Sequence, residues 1–213
     1  MRTLIFMKIN RIMILGNSIT LHRPKADIGW LDCWGMAASA QDKDYAHLLL
    51  QRIADATQGK APEAIIENIA AFEKEYATYD ISAALIPYAG FNPEMVVLAI
   101  GENIPEPDTI EAKNNLRIAL SALLELLKEN GNPVIFIRSS FWKSQIKDEI
   151  LRQLCTEFGG TFVDIGHLGL DEANFARSER TFINAGVANH PGDKGMLAIA
   201  EAIWNAIKNS KID

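Results

Sequence analysis

The sequence predicts one three-layer α/β/α domain with a doubly wound parallel sheet of about five strands. Two observations lead there. Short apolar runs recur along the chain and are nearly continuous rather than alternating, as in strands buried on both faces. Between them lie segments whose apolar residues repeat every three or four positions, as on one face of a helix. Alternation of this kind closes into right-handed βαβ units, with helices on both faces of the sheet.

The elements follow in order. Residues 12–15 form the first apolar run and residues 64–67 a weaker one; residues 95–100, 134–137 and 161–165 form the others. Tyr45, Leu49, Ile53 and Ala56 share one helical stripe, which predicts a helix after the first strand. Leu116, Leu120, Leu123 and Leu127 mark a second helix, expected to begin near Asp108 and to stop at Asn130-Gly131-Asn132-Pro133. The acidic run from Glu106 to Asp108 is expected to favour the start of that helix through its dipole. Ile146, Ile150, Leu154 and Phe158 mark a third helix, ended by Gly159-Gly160, and Met196, Ile199, Ile203 and Ile207 the last.

The chain has 213 residues, enough for one sizeable core, and no repeat or linker divides it, so residues 1–213 are read as a single domain. Apolar residues make up 48% and charged residues 23%, which sets aside the disordered and collagen-like classes. A net charge of -6 without a Lys/Arg cluster argues against nucleic acid as a partner. No stretch approaches the ~18 apolar residues of a membrane span. The N-terminal MRTLIFMKINRIMIL, interrupted by Lys8 and Arg11, does not read as a secretion signal. The cellular compartment and the oligomeric state stay open. Cys33 and Cys155 are too few for a disulfide framework and read as free thiols, with a bridge between them as the alternative; no Cys/His group has zinc spacing.

In such folds a ligand lies outside the carboxyl ends of the strands. The first run is followed by Gly16-Asn17-Ser18-Ile19-Thr20, where Gly16 permits a sharp turn and Ser18 can expose both its hydroxyl and its backbone N–H. The third is followed by Gly101-Glu102-Asn103, where the Asn103 amide can face a developing oxyanion. His190 lies in Gly186-Val187-Ala188-Asn189-His190-Pro191-Gly192-Asp193, just before the last helix, where it can serve as base to a serine. Each position also has an ordinary reading: Ser18 as a helix N-cap, Asn103 as a turn residue, His190 as a solvated loop histidine. Their shared edge of the sheet favours convergence of a nucleophile, an oxyanion donor and a base.

These segments, in this order, resemble the SGNH hydrolase superfamily, also called GDSL-type esterases and lipases. Gly16-Asn17-Ser18-Ile19-Thr20 is similar to the first block, Gly35 in Cys33-Trp34-Gly35-Met36-Ala37-Ala38-Ser39 to the second, Gly101-Glu102-Asn103 to the third, and His190-Pro191 to the fifth. The resemblance spans residues 12 to 196. It implies a flavodoxin-like fold with five central parallel strands and ester hydrolysis through an acyl-serine. It implies Ser18 as nucleophile and His190 as base. The oxyanion donors it implies are the Ser18 and Gly35 backbone N–H groups and the Asn103 side chain. It implies no metal and no organic cofactor.

Three positions depart from the family pattern. Val187 stands where the family usually has the aspartate that orients the histidine, so a Ser–His dyad supported by a backbone carbonyl near Val187 or Ala188 is expected, with a remote carboxylate such as Asp164 or Asp193 as the alternative. Asn17 replaces the usual aspartate of the first block, and Ile104 the last residue of the third. Trp34, Glu102 and Trp142 are expected to contact substrate, with Trp30 and Phe141 nearby; packing is the plain alternative for the aromatics. Arg138 suits an anionic group or a structural ion pair, and His22 the pocket or the surface. The expected partner is a small ester or an acylated carbohydrate, with sugar deacetylation favoured. A non-catalytic carbohydrate-binding module on a hydrolase scaffold is the rival, favoured by Val187.

Overall fold

A computed structural model of the chain describes residues 9–57 and 59–210; the start of the N-terminal segment, residues 1–8, lies outside the described residues. Five parallel strands form one sheet: β1 (Arg11–Gly16), β2 (Glu63–Asn68), β3 (Met95–Ala99), β4 (Val134–Arg138) and β5 (Thr161–Val163), in the order β2-β1-β3-β4-β5. The long helices are α1 (Tyr45–Ala56), α4 (Ile110–Glu129), α5 (Gln145–Glu157) and α7 (Asp193–Asn209), and α2 (Ala70–Glu75), α3 (Ile81–Leu85) and α6 (Ala185–Ala188) are short. This is the three-layer α/β/α arrangement read from the sequence.

The central strands read as continuous apolar runs because alternate residues enter different cores. Ile12 and Ile14 of β1, with Met95, Val97 and Ala99 of β3, pack under α1 and α7. Met13 and Leu15, with Val96 and Leu98, pack against α4 and α5 on the other side. β2 is the weak run because it is an edge strand, half-buried along most of its length.

Two boundaries differ from expectation. The run at residues 161–165 pairs only as far as Val163, because the Asp164 side chain folds forward to accept the Gly166 N–H at 3.0 Å while the Ile165 N–H turns to Ser139 Oγ at 2.8 Å. α4 starts at Ile110, capped by the Thr109 hydroxyl, which accepts the Ala112 N–H. Glu106 does not serve that helix. It accepts from the Ser144 hydroxyl at 2.9 Å and pairs with Lys147 at 3.7 Å, bracing the start of α5 instead. The short helices α2, α3 and α6 escaped periodicity because six residues or fewer do not complete two turns.

The order of the sheet fixes where chemistry can occur. From β1 the chain moves outward to the edge strand β2, then returns to the other side of β1 as β3. The loops after β1 and β3 therefore part at this switch point and leave a crevice at the carboxyl ends of the strands. They carry Ser18 and Asn103 respectively.

Candidate active site

Gly16 lets the Ser18 loop turn tightly beside β3. A Cβ there would lie 2.0 Å from Thr20 Oγ1 and 2.8 Å from the Ala99 carbonyl, so no other residue fits. The chain then folds back on itself, with the Thr20 and Leu21 N–H groups both donating to the Asn17 carbonyl at 2.9 Å. Ile19 is fully buried and pins the loop into the core, while Ser18 remains partly exposed. The Ser18 backbone N–H meets no acceptor among the described residues.

His190 reaches Ser18 from the far end of the chain. Ser18 Oγ lies 2.8 Å from His190 Nε2, and His190 Nδ1 lies 2.7 Å from the Gly186 carbonyl. A carbonyl only accepts, so Nδ1 carries the proton and Nε2 presents its lone pair to the Ser18 hydroxyl. The orienting group is one residue before Val187, close to the expected carbonyl. α6 supplies it: Asn184 caps this one-turn helix, and the His190 N–H continues it by donating to the Val187 carbonyl at 3.0 Å. Val187 itself is buried with Trp30, Met36, Ala37 and Ala176, so an aspartate at 187 would bury its charge among apolar side chains. Neither remote carboxylate takes the role. Asp164 bonds Ser139, Gly166 and Arg152, and Asp193 bonds Ser39. Burial pushes His190 below the ordinary histidine value against the opposing pull of the Gly186 carbonyl, so the ring is neutral at pH 7.

Asn103 is drawn toward the same place. Its Nδ2 donates to Glu73 Oε2 at 2.8 Å, and Asn17, adjacent to Ser18, donates to Glu73 Oε1 at 3.3 Å. The two loops therefore share one carboxylate. The second Asn103 amide hydrogen meets no acceptor among the described residues. Gly35 requires a correction. Its N–H is already donated to Asp44 Oδ2 at 3.1 Å, because Asp44, the buried N-cap of α1, turns one oxygen toward this segment and the other to the His47 N–H. Gly35 is thus not a free oxyanion donor. The Met36 N–H anchors the segment on the Ser18 carbonyl at 2.8 Å. Next to it, Ala37 adopts a left-handed conformation (φ 71°), and its N–H has no acceptor among the described residues.

No protein-family model matches the sequence, and neither does any curated protein. Solved structures do. A Bacteroides uniformis protein described as a GDSL-like lipase superposes with a TM-score of 0.60 at 13% identity, over 94% of this chain and 96% of that one. The lipase/acylhydrolase from Enterococcus faecalis gives 0.58 at 12%, over 93% and 95%. An acetyl xylan esterase from Butyrivibrio proteoclasticus gives 0.54 at 12%, over 94% of this chain and 63% of that one. This chain has the fold of the GDSL-like hydrolases.

Within this GDSL-like fold the first and third blocks are braced by a buried charge cluster. Glu102, expected to touch substrate, is turned into this cluster. Its side chain is 2% exposed and ion-paired with the fully buried Arg138 at 2.6 Å. The same carboxylate accepts the Phe141 N–H at 2.8 Å and Asn17 Nδ2 at 2.6 Å. Burial works against its charge, but the Arg138 guanidinium outweighs that and holds it below the usual carboxylate range. Arg138 is accordingly a structural cation. Its position at the end of a buried strand made Glu102, the first charged residue after the neighbouring strand, its natural partner. Glu73, buried on α2, was missed in the sequence because its helix is too short to show a period.

The aromatic expectations divide. Trp142 is the most exposed, at 36%, and meets the His190 ring edge-on with centroids 5.6 Å apart. Trp34 is partly buried; it donates its indole N–H to the Ala38 carbonyl and packs edge-on against buried Trp30. That matches its packing alternative. Phe141 is a core residue. His22 is partly buried, with Nδ1 2.6 Å from the Arg23 carbonyl, and borders a cleft of about 420 Å³ formed by Leu21–Lys25 (residues 21–25), Glu67 and Asn68. Cys33 is free and exposed, Cys155 free and buried. Among the described residues no cluster of three or more His, Cys, Asp or Glu side chains could hold a metal ion, and no helix is long and apolar enough to cross a membrane.

Proposed function

We propose that this chain is an SGNH-type hydrolase that cleaves carboxylic esters through an acyl-serine, using a Ser18–His190 dyad. The observation that carries the reading is the 2.8 Å contact between Ser18 Oγ and a His190 whose other nitrogen is held by Gly186. A serine hydroxyl is a weak nucleophile until a neighbour accepts its proton during attack. His190 Nε2 takes that proton as Oγ bonds to the ester carbonyl carbon. The oxyanion that forms is met by the Ser18 N–H and the free Asn103 amide hydrogen. The imidazolium then passes its proton to the departing alcohol, and a water, deprotonated by the same nitrogen, releases the acid from Ser18. No metal or organic cofactor enters this sequence.

An acylated carbohydrate is the favoured substrate. Trp142, 36% exposed beside His190, offers an aromatic surface to a sugar ring, and the cleft at His22 offers polar groups to hydroxyls. Carbohydrate esterases share the fold, among them the acetyl xylan esterase and an active-site mutant of a family two carbohydrate esterase from Clostridium thermocellum, although this chain spans less than two thirds of their length. The Gly186 carbonyl orients His190 where the Val187 side chain cannot, which supports the catalytic reading over a purely binding role.

The test is chemical. A fluorophosphonate probe should add one label per chain, at Ser18 by peptide mass spectrometry, and the protein should hydrolyse 4-nitrophenyl acetate and acetylated xylan. Labelling elsewhere, or none alongside tight xylan binding, would support the binding-module reading instead. The pH profile adds a second check. Only neutral His190 can act as base, so kcat/KM is retained at high pH and lost as pH falls through the imidazole pKa. Because burial depresses that pKa, the acid limb should have its midpoint below about 6.5, the ordinary histidine value. A midpoint above 7 would contradict the assignment.

A further inference from the structure

We propose that Glu73 is a positioning residue, whose buried carboxylate fixes the Asn103 amide in register with the Ser18 loop. The proposal rests on the reading of Asn103 as an oxyanion donor. Glu73 is fully buried and lies on α2, immediately after β2. That helix is delivered to the site edge because the Ile69 N–H donates to the Gly16 carbonyl at 2.7 Å, where Gly16 pairs with Asn68.

The carboxylate then gathers four donors. Oε1 accepts the Gly101 N–H at 2.6 Å, the Asn103 N–H at 3.3 Å and Asn17 Nδ2 at 3.3 Å; Oε2 accepts Asn103 Nδ2 at 2.8 Å. Three come from the loop after β3 and one from the loop after β1. Binding one Asn103 hydrogen to Oε2 fixes the amide plane and so aims its other hydrogen. Gly101 makes the approach possible: it holds φ at 130°, and a Cβ there would lie 2.3 Å from Ser140 Oγ.

This arrangement also accounts for two of the departures in the sequence. Asn17 donates one amide hydrogen to Glu73 and the other, at 2.6 Å, to Glu102, while its Oδ1 accepts the Ile19 N–H at 3.1 Å. An aspartate at 17 would set a third carboxylate against these two, with Arg138 the single cation in contact with the group among the described residues. Ile104, where the family places a polar residue, is buried in the apolar core on the α4 and α5 side of the sheet, and the bracing comes from α2 instead.

The decisive experiment is a double-mutant cycle on ester hydrolysis by the full chain, with Glu73→Gln, Asn103→Ala and the pair. Asn103→Ala should lower kcat by about 10²-fold, as loss of one oxyanion donor does. Glu73→Gln should lower kcat by about 10-fold or more with KM changed less than about threefold, and should add almost nothing in the Asn103→Ala background, because residues acting through one another are not additive. Equal effects of Glu73→Gln in both backgrounds, or an unchanged kcat, would overturn the proposal.

A measurement on the wild-type chain keeps the test independent of turnover and of variant folding. In a ¹⁵N-labelled sample, one Asn103 side-chain amide proton should be shifted downfield and protected from solvent exchange, while its geminal partner exchanges. Two equivalent, rapidly exchanging protons would also overturn it. Absence of any Ser18-dependent ester hydrolysis would instead refute the catalytic reading, and with it any positioning role.

Discussion

Ser18→Ala should lower kcat for ester hydrolysis by at least about 10³-fold. The size follows from what a dyad can supply. Removing the nucleophile of a complete triad costs about 10⁶-fold, and removing only its aspartate about 10⁴-fold. Here no carboxylate among the described residues touches Nδ1, but the Gly186 carbonyl at 2.7 Å still fixes the tautomer and ring orientation, so part of that lost factor is retained. His190→Ala should cost a similar amount, and the Ser18→Ala, His190→Ala double variant no more than either alone, because nucleophile and base act as one unit. The measurement is kcat on 4-nitrophenyl acetate above the buffer rate, with circular dichroism to show that each variant folds. A Ser18→Ala protein that keeps a tenth of the original rate would show that the hydroxyl is not the nucleophile.

Arg138→Ala should destabilise the fold by about 3–5 kcal/mol, the cost of leaving a buried carboxylate without its partner. Arg138 is fully buried and donates to Glu102 at 2.6 Å, to the Ser139 carbonyl at 2.9 Å and to the Ala99 carbonyl at 3.3 Å. Without it, Glu102 and Glu73 would share a buried site with no other cation in contact among the described residues. The urea midpoint should fall with an unchanged slope. The deficit should shrink as pH falls, because Glu102 would then have a folded-state pKa above its unfolded value, and such a group contributes stability as it takes up its proton. Arg152→Ala provides the contrast. Its partner Asp164 is about half exposed, and the loss should be no more than about 1 kcal/mol. A loss that small at Arg138 would mean that the buried pair does not hold the two loops.

The same two regions show how far the sequence could be read. Ser18, Asn103 and His190 were legible as site candidates because each stands at a recognisable junction, a strand end or a loop before a helix, where a small motif survives. Glu102 and Gly35 were legible as positions but not in their roles. Whether a carboxylate after a strand end faces substrate or turns inward depends on what the next strand presents, and here β4 ends in Arg138. Whether a glycine N–H faces a substrate depends on its neighbours, and here the cap of α1 reaches back across nine residues to take it. Glu73 left no trace at all, since one glutamate in a six-residue helix looks like any exposed charge.

By itself, the sequence determined the layers, the parallel sheet and the candidates for nucleophile and base. Apolar periodicity and turn chemistry are local properties, written in adjacent residues. Only the tertiary structure decided what orients His190, which donors remain free and how the two loops are joined. Those answers lie in a backbone carbonyl, an occupied N–H and a shared carboxylate. Such groups are present all along the chain, and packing alone selects which of them meet.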